Sequence, residues 1–132
     1  MEVIDIDLVT VLVATIVSFI AGGIWYSSLL FGEIWKKEHK IATRKENKRL
    51  FSWISAFAIS LLTAFFLALF LAFLGATSTL DGIYVGIGLW IGFILPTQLY
   101  PLIWAKSSWK LFAVDAFFWL INLVIMGAII AA

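Results

Sequence analysis

Leu50 to Leu80, LFSWISAFAISLLTAFFLALFLAFLGATSTL, runs without an Asp, Glu, Lys or Arg. A transmembrane α-helix needs about 20 mainly apolar residues, so this stretch crosses a bilayer with residues to spare. Its far end, GATSTLDG from Gly75 to Gly82, carries the small and polar residues of a tight turn, which predicts a helix over 51–74. Working outward, three more stretches are free of charge or nearly so: Leu8 to Gly32, Gly82 to Ala105, and Leu111 to Ala132 with Asp115 alone inside it. The fold class is therefore all-α, an integral membrane four-helix transmembrane bundle with short loops. It forms one domain over 1–132, with spans near 8–31, 51–74, 82–105 and 111–131. Composition agrees: 64% of residues are hydrophobic, 13% are charged and the mean hydropathy is +1.09, whereas soluble domains carry about a quarter charged residues.

The charges are distributed unevenly. Lys36, Lys37, Lys40, Arg44, Lys45, Lys48 and Arg49 fall between spans one and two, and Lys106 and Lys110 between spans three and four. The opposite side carries only Glu2, Asp5, Asp7 and Asp81. Positive residues of short loops stay in the cytoplasm, so both basic loops are expected inside and both termini outside the plasma (inner) membrane. So one-sided a distribution predicts a single orientation, and hence a parallel arrangement in any homo-oligomer. The N-terminus lacks the positive n-region and cleavage site of a secretory signal, so the first span is expected to remain in the mature protein.

In lipid, helices gain little from hydrophobic attraction and approach closely through small residues. Span two offers Ser52, Ala56, Ser60, Ala64, Ala68 and Ala72 at four-residue intervals. Span three offers two pairs, Gly82 with Gly86 and Gly88 with Gly92, on faces that predict contact with two neighbours. Ala14, Ser18 and Gly22 form a similar row in span one. Packing is the expected role of all these glycines.

Few polar side chains lie at membrane depth, and these mark candidate function. Asp115 sits about 6 Å below the start of span four at 1.5 Å per residue, with Trp119, Asn122 and Met126 following on its face. Pro96 in PTQLYP predicts a kink or break in span three, next to Thr97, Gln98 and Tyr100. Trp25 and Tyr26 reach the same leaflet from span one. The candidate polar site is therefore Trp25, Tyr26, Gln98, Tyr100, Asp115 and Asn122. Two readings compete for it. In one, Asp115 pairs with Lys106 or Lys110, or accepts bonds from Trp25 or Tyr26, and locks the bundle. In the other, the cluster takes up a cation or a proton.

Trp35, Lys36 and Lys37, with Arg44, Lys45, Lys48 and Arg49, read as an interfacial anchor that attracts anionic lipid headgroups. A loop tethered to the membrane is an orientation signal before it is anything else, so no nucleic-acid partner is expected. The single His39, in a chain without cysteine, makes a poor metal ligand, and neither metal nor cofactor is expected. No nucleophile–base pair or carboxylate dyad stands within the spans, so no enzyme is expected.

The stretch GGIWYSSLLFGEIWKK, Gly22 to Lys37, resembles the G-x-x-W-Y-x-x-x-x-F-G-x-x-W signature of a bacterial and fungal membrane family catalogued as domain of unknown function 1761. The signature positions here are Gly22, Trp25, Tyr26, Phe31, Gly32 and Trp35. LFAVDAFFWLINLVIMGAIIA, Leu111 to Ala131, is similar to that family's last span through Asp115 and Gly127. The resemblance covers nearly the whole chain, including Pro96, and implies a small multi-span membrane protein without naming a substrate. The functional expectation is a parallel homo-oligomeric channel or carrier-like protein with a polar site around Asp115. The alternative is a non-transporting module, an accessory subunit, lipid-binding protein or scaffold, in which the cluster is structural.

Overall fold

The computed structural model describes residues 6–27, 30–39 and 46–132. The side chains of Trp35, Lys36, Lys48 and Arg49, and the whole of Arg44 and Lys45, lie outside the described residues. The chain forms α1 (Leu8–Trp25), a short α2 (Gly32–His39), α3 (Glu46–Leu74) and α4 (Thr79–Leu89). A π-helical turn (Trp90–Ile94) joins α4 to α5 (Leu95–Trp104), and α6 (Trp109–Ala131) completes the fold. Among the described residues there is no strand, and four helices are long and apolar enough to cross a membrane: Leu8–Trp25, Leu50–Leu74, Thr79–Trp104 and Trp109–Ala131.

Local chemistry explains the helix ends. Asp7 caps α1, its carboxylate accepting from the Val9 amide at 3.0 Å and the Thr10 hydroxyl at 2.7 Å. The Thr10 bond, opposed by some desolvation and helped by backbone amides, holds the Asp7 carboxyl below its ordinary range. A depressed folded-state value means the cap contributes above the unfolded-state pKa and is lost as pH falls through the folded one. Hydrogen-exchange protection at the start of α1 is thus expected to weaken only under acid conditions, below the ordinary 3.8. Asp7→Asn, also a good cap, should remove that pH dependence; equal acid sensitivity in the variant would count against the assignment.

The first long helix stops at Trp25 rather than near residue 31. The Ser27 hydroxyl donates to the Ile24 carbonyl at 2.6 Å and competes with the next helical turn, and the chain then folds back on itself. At the end of α3, Gly75 takes a φ of +71°. Its amide donates to Ala72 O and that of Ala76 to Leu71 O, the paired bonds that close a helix through a left-handed glycine. Ser78 and Ser108 cap α4 and α6, so these begin at Thr79 and Trp109, ahead of 82 and 111.

The helix α6 is the hub of the bundle: α1, α3, α4 and α5 all pack on it, α1 and α3 also pack on each other, and α4 hardly touches α3. The core comprises Val11 and Ala14 of α1, Ala64, Leu67, Ala68 and Leu71 of α3, and Leu123, Met126 and Ala131 of α6. The row expected on α3 is buried only at Ala64 and Ala68; Ser52 and Ser60 are half-buried, while Ala56 and Ala72 are exposed. Each four-residue step overshoots a 3.6-residue turn by about 40°, so a long row winds off any one face. Leu67 and Leu71 carry the contact onward instead.

The closest approach joins α4 to α6. A Cβ on Gly82 would run into the carbonyl of Gly127 and lie 2.9 Å from the Ala131 Cβ; one on Gly86 would lie 2.7 Å from the Leu123 carbonyl oxygen. Gly88 and Gly92 differ from the expected second contact face: among the described residues nothing lies within 4 Å of a Cβ added at either. Pro96 accounts for the irregularity of this span. It has no amide to donate, and the ladder upstream relaxes into the π-turn, in which the Leu95 amide reaches Trp90 O.

Candidate functional site

The end of α1 and the first half of α6 run antiparallel and form a ladder of three rungs. Ser18 hydrogen-bonds the Asn122 side-chain oxygen, and both residues are buried. Gly22 faces Phe118, whose ring would lie 3.2 Å from an added Cβ. Tyr26 Oη donates to Asp115 Oδ1 at 2.5 Å. The numbering rises on one helix as it falls on the other, as antiparallel pairing requires. Asp115 and Asn122 are about 10 Å apart along α6 at 1.5 Å per residue. Between them lies Phe118, its ring edge-on to Tyr26 at 5.3 Å between centroids.

Two indoles hold the same part of α6 through its backbone. Trp25 Nε1 donates to Val114 O at 3.1 Å and Trp90 Nε1 to Ala116 O at 2.7 Å. The carbonyls flanking Asp115 are thus gripped from α1 and from the π-turn, while its carboxylate is held by Tyr26.

The placement of Tyr26 depends on an elbow. After Ser27 the chain doubles back, the Phe31 amide donating to Trp25 O at 3.0 Å and the Gly32 amide to Ser27 O at 2.9 Å. Phe31 stacks obliquely on Trp25 with centroids 4.4 Å apart. Any side chain on Gly32 would collide with the Tyr26 carbonyl and lie 2.8 Å from that of Ser27, so only glycine fits the crossing.

Of the six candidate residues, Tyr26 and Asp115 form one pair. Trp25 stands beside them but bonds the backbone of Val114 rather than the Asp115 carboxylate. Asn122 belongs to the separate, deeper rung. Gln98, half-buried, and Tyr100, 67% exposed, do not hydrogen-bond to Asp115. The irregularity expected at Pro96 takes the form of a π-turn just before it, which offsets the register by about 100° for each extra residue and leaves Tyr100 facing outward. Among the described residues, Asp115 forms no ion pair with Lys106 or Lys110, and no three His, Cys, Asp or Glu side chains converge.

Sequence reasoning passed over Ser18, Trp90 and Phe118 as site residues. Trp90 left a signal: an indole well inside a span, away from the headgroup belt, needs an acceptor for its N–H. Ser18 left another, as the partner that buried Asn122 requires at the same depth.

Two apolar grooves flank the third long helix. One, about 380 Å³, lies against α6 and is lined by residues such as Ile87, Trp90, Ile91 and Val124. The other, about 260 Å³, opens between α3 and the third helix over Leu123, with Phe66, Phe70 and Phe93 on its walls.

Three long apolar helices around a fourth, the central α6, with polar side chains paired across the interior, define a small integral membrane protein of the helical-bundle class. The family model described as protein of unknown function (DUF1761) matches residues 9–131, so the chain belongs to the DUF1761 family. No curated protein and no solved structure compared with the chain matches it.

Proposed function

We propose that the protein is a non-transporting membrane module, an accessory or scaffold subunit, in which the polar residues lock the helices in register. The observation that carries this reading is the ladder itself: Tyr26 is spent on Asp115, Ser18 on Asn122, and Phe118 fills the space between. Trp25 and Trp90 are likewise spent on backbone carbonyls. The module sits in the plasma membrane with its basic loops in the cytoplasm, where Lys37 and its neighbours meet anionic headgroups. The same charge asymmetry makes any homo-oligomer parallel. It has no enzymatic activity and binds no nucleic acid.

One observation favours the second reading, a channel or carrier working through Asp115: this half-buried carboxylate is held by a neutral phenol and lacks a cationic partner among the described residues. Asp115→Asn separates the two. As a lock, it should lower the thermal midpoint in detergent by the equivalent of about 1–2 kcal/mol and leave proton and ion flux in liposomes at the protein-free level, as in the parent. Flux through the parent that is abolished in a stable, fully expressed variant would overturn the scaffold reading.

A further inference from the structure

We propose that α5 is an arm hinged at the π-turn, able to swing against a fixed core made of α1, α3, α4 and α6. The two halves of the third long helix are held very differently. Upstream, α4 is seated backbone to backbone on α6 at Gly82 and Gly86, both buried. Downstream, α5 has no buried residue, and among the described residues its main packing beyond the adjoining π-turn is on α6.

The junction has the features that let a helix bend. Five residues, Trp90–Ile94, follow the wide π ladder, and Pro96 then removes an amide. The Thr97 hydroxyl takes the Ile94 carbonyl at 2.7 Å, so a side chain stands in the ladder where the bend lies. Pro101 removes a second amide within the same ten residues. Bending here therefore breaks fewer backbone bonds than it would elsewhere in the span. In lipid, where each broken bond is costly, that difference decides where a helix yields.

Trp90 sets the boundary of the fixed part. Its indole bond to Ala116 O is the last hydrogen bond from this span to α6 before the proline, so motion begins below it. At the other end, Ala105–Ser108 tethers the arm to α6. Lys106 there takes a φ of +50°, and the Ser107 amide returns to Pro101 O. Because that link is short, the arm lies along the first turns of α6, the segment bearing Asp115, and its swing uncovers them. The inference stands independently of the scaffold and carrier readings, since it concerns where the span bends and not what crosses the membrane.

The chain has no cysteine, so introduced pairs can be spin-labelled cleanly. One pair joins exposed Ile103 on the arm to exposed Ile59 on α3, and a control pair joins exposed Tyr84 on α4 to Ile59. Pulsed-EPR distances in liposomes should be about twofold broader, or split, for the arm pair relative to the control. Pro96→Ala, which restores an amide to the ladder, should narrow the arm distribution towards the control. Trp90→Phe should widen it by releasing the boundary. An arm pair as narrow as the control, or one unchanged by Pro96→Ala, would overturn the hinge.

Discussion

Gly82→Ala and Gly127→Ala are each expected to lower the thermal midpoint of the detergent-solubilised protein by the equivalent of about 3 kcal/mol, at the upper end of what overpacking costs. The reason is the identity of the obstacle. A methyl group on either glycine meets the carbonyl of the other, and backbone cannot rotate away as a side chain can. Relief requires the two helix axes to separate, which also opens the contact of Gly86 with Leu123 O and the close carbonyl contacts along the crossing. Lipid supplies no hydrophobic force to press the helices back together. Combining both substitutions should cost much less than their sum, because the first has already parted the helices. Gly88→Ala is the control: nothing described lies near its added Cβ, and alanine favours a helix over glycine, so its midpoint should stay level or rise. A Gly82→Ala protein as stable as the parent would show that the crossing is looser than its geometry.

Gly32→Ala is expected to have the next largest effect, about 2 kcal/mol, by forcing apart the elbow that aims Tyr26. The substituted methyl has no room beside the Tyr26 and Ser27 carbonyls. As the elbow opens, the Tyr26 phenol leaves Asp115 and the Trp25 indole leaves Val114 O. Tyr26→Phe alone removes one hydrogen bond and should cost about 1 kcal/mol. If Gly32 acts by placing Tyr26, the two losses overlap, and the double variant should cost clearly less than the sum. Thermal midpoints of the four proteins in one detergent measure this. Additivity within about 0.5 kcal/mol would separate the elbow from the pair and leave Gly32 with a purely local role.

The candidate site was legible in the sequence to the level of its parts. An aspartate inside an otherwise uncharged span stands out because charge in lipid is rare, and Tyr26 was placed at its depth by counting along two helices. Counting along a helix does not reveal rotation about it. A kink at Pro96 is legible in the sequence, but the rotation it imposes is not, and the π-turn there leaves Tyr100 facing outward. Asn122 shares a face with Asp115 on α6, yet the Phe118 ring between them makes two sites of one. For the glycines the limit was similar. Gly82 and Gly88 looked equivalent by spacing, and only the position of α6 distinguished them.

What the sequence determined by itself was the helical class and the number of long apolar helices. Freedom from charge over about 20 residues is a property of each segment alone, and in a bilayer a segment of that kind satisfies its backbone as a helix. Helix ends were nearly as local, since Ser78, Ser108 and Gly75 act within a turn of themselves. The tertiary structure decided which helix is central, which glycines touch and which polar groups pair. Those depend on the rotation and register of one helix against another, and without hydrophobic attraction between helices they follow from backbone fit and hydrogen bonding between residues far apart in the chain. The pairing of Tyr26 with Asp115 is of that kind: an elbow sharp enough to require glycine at position 32 brings an α1 phenol onto an α6 carboxylate.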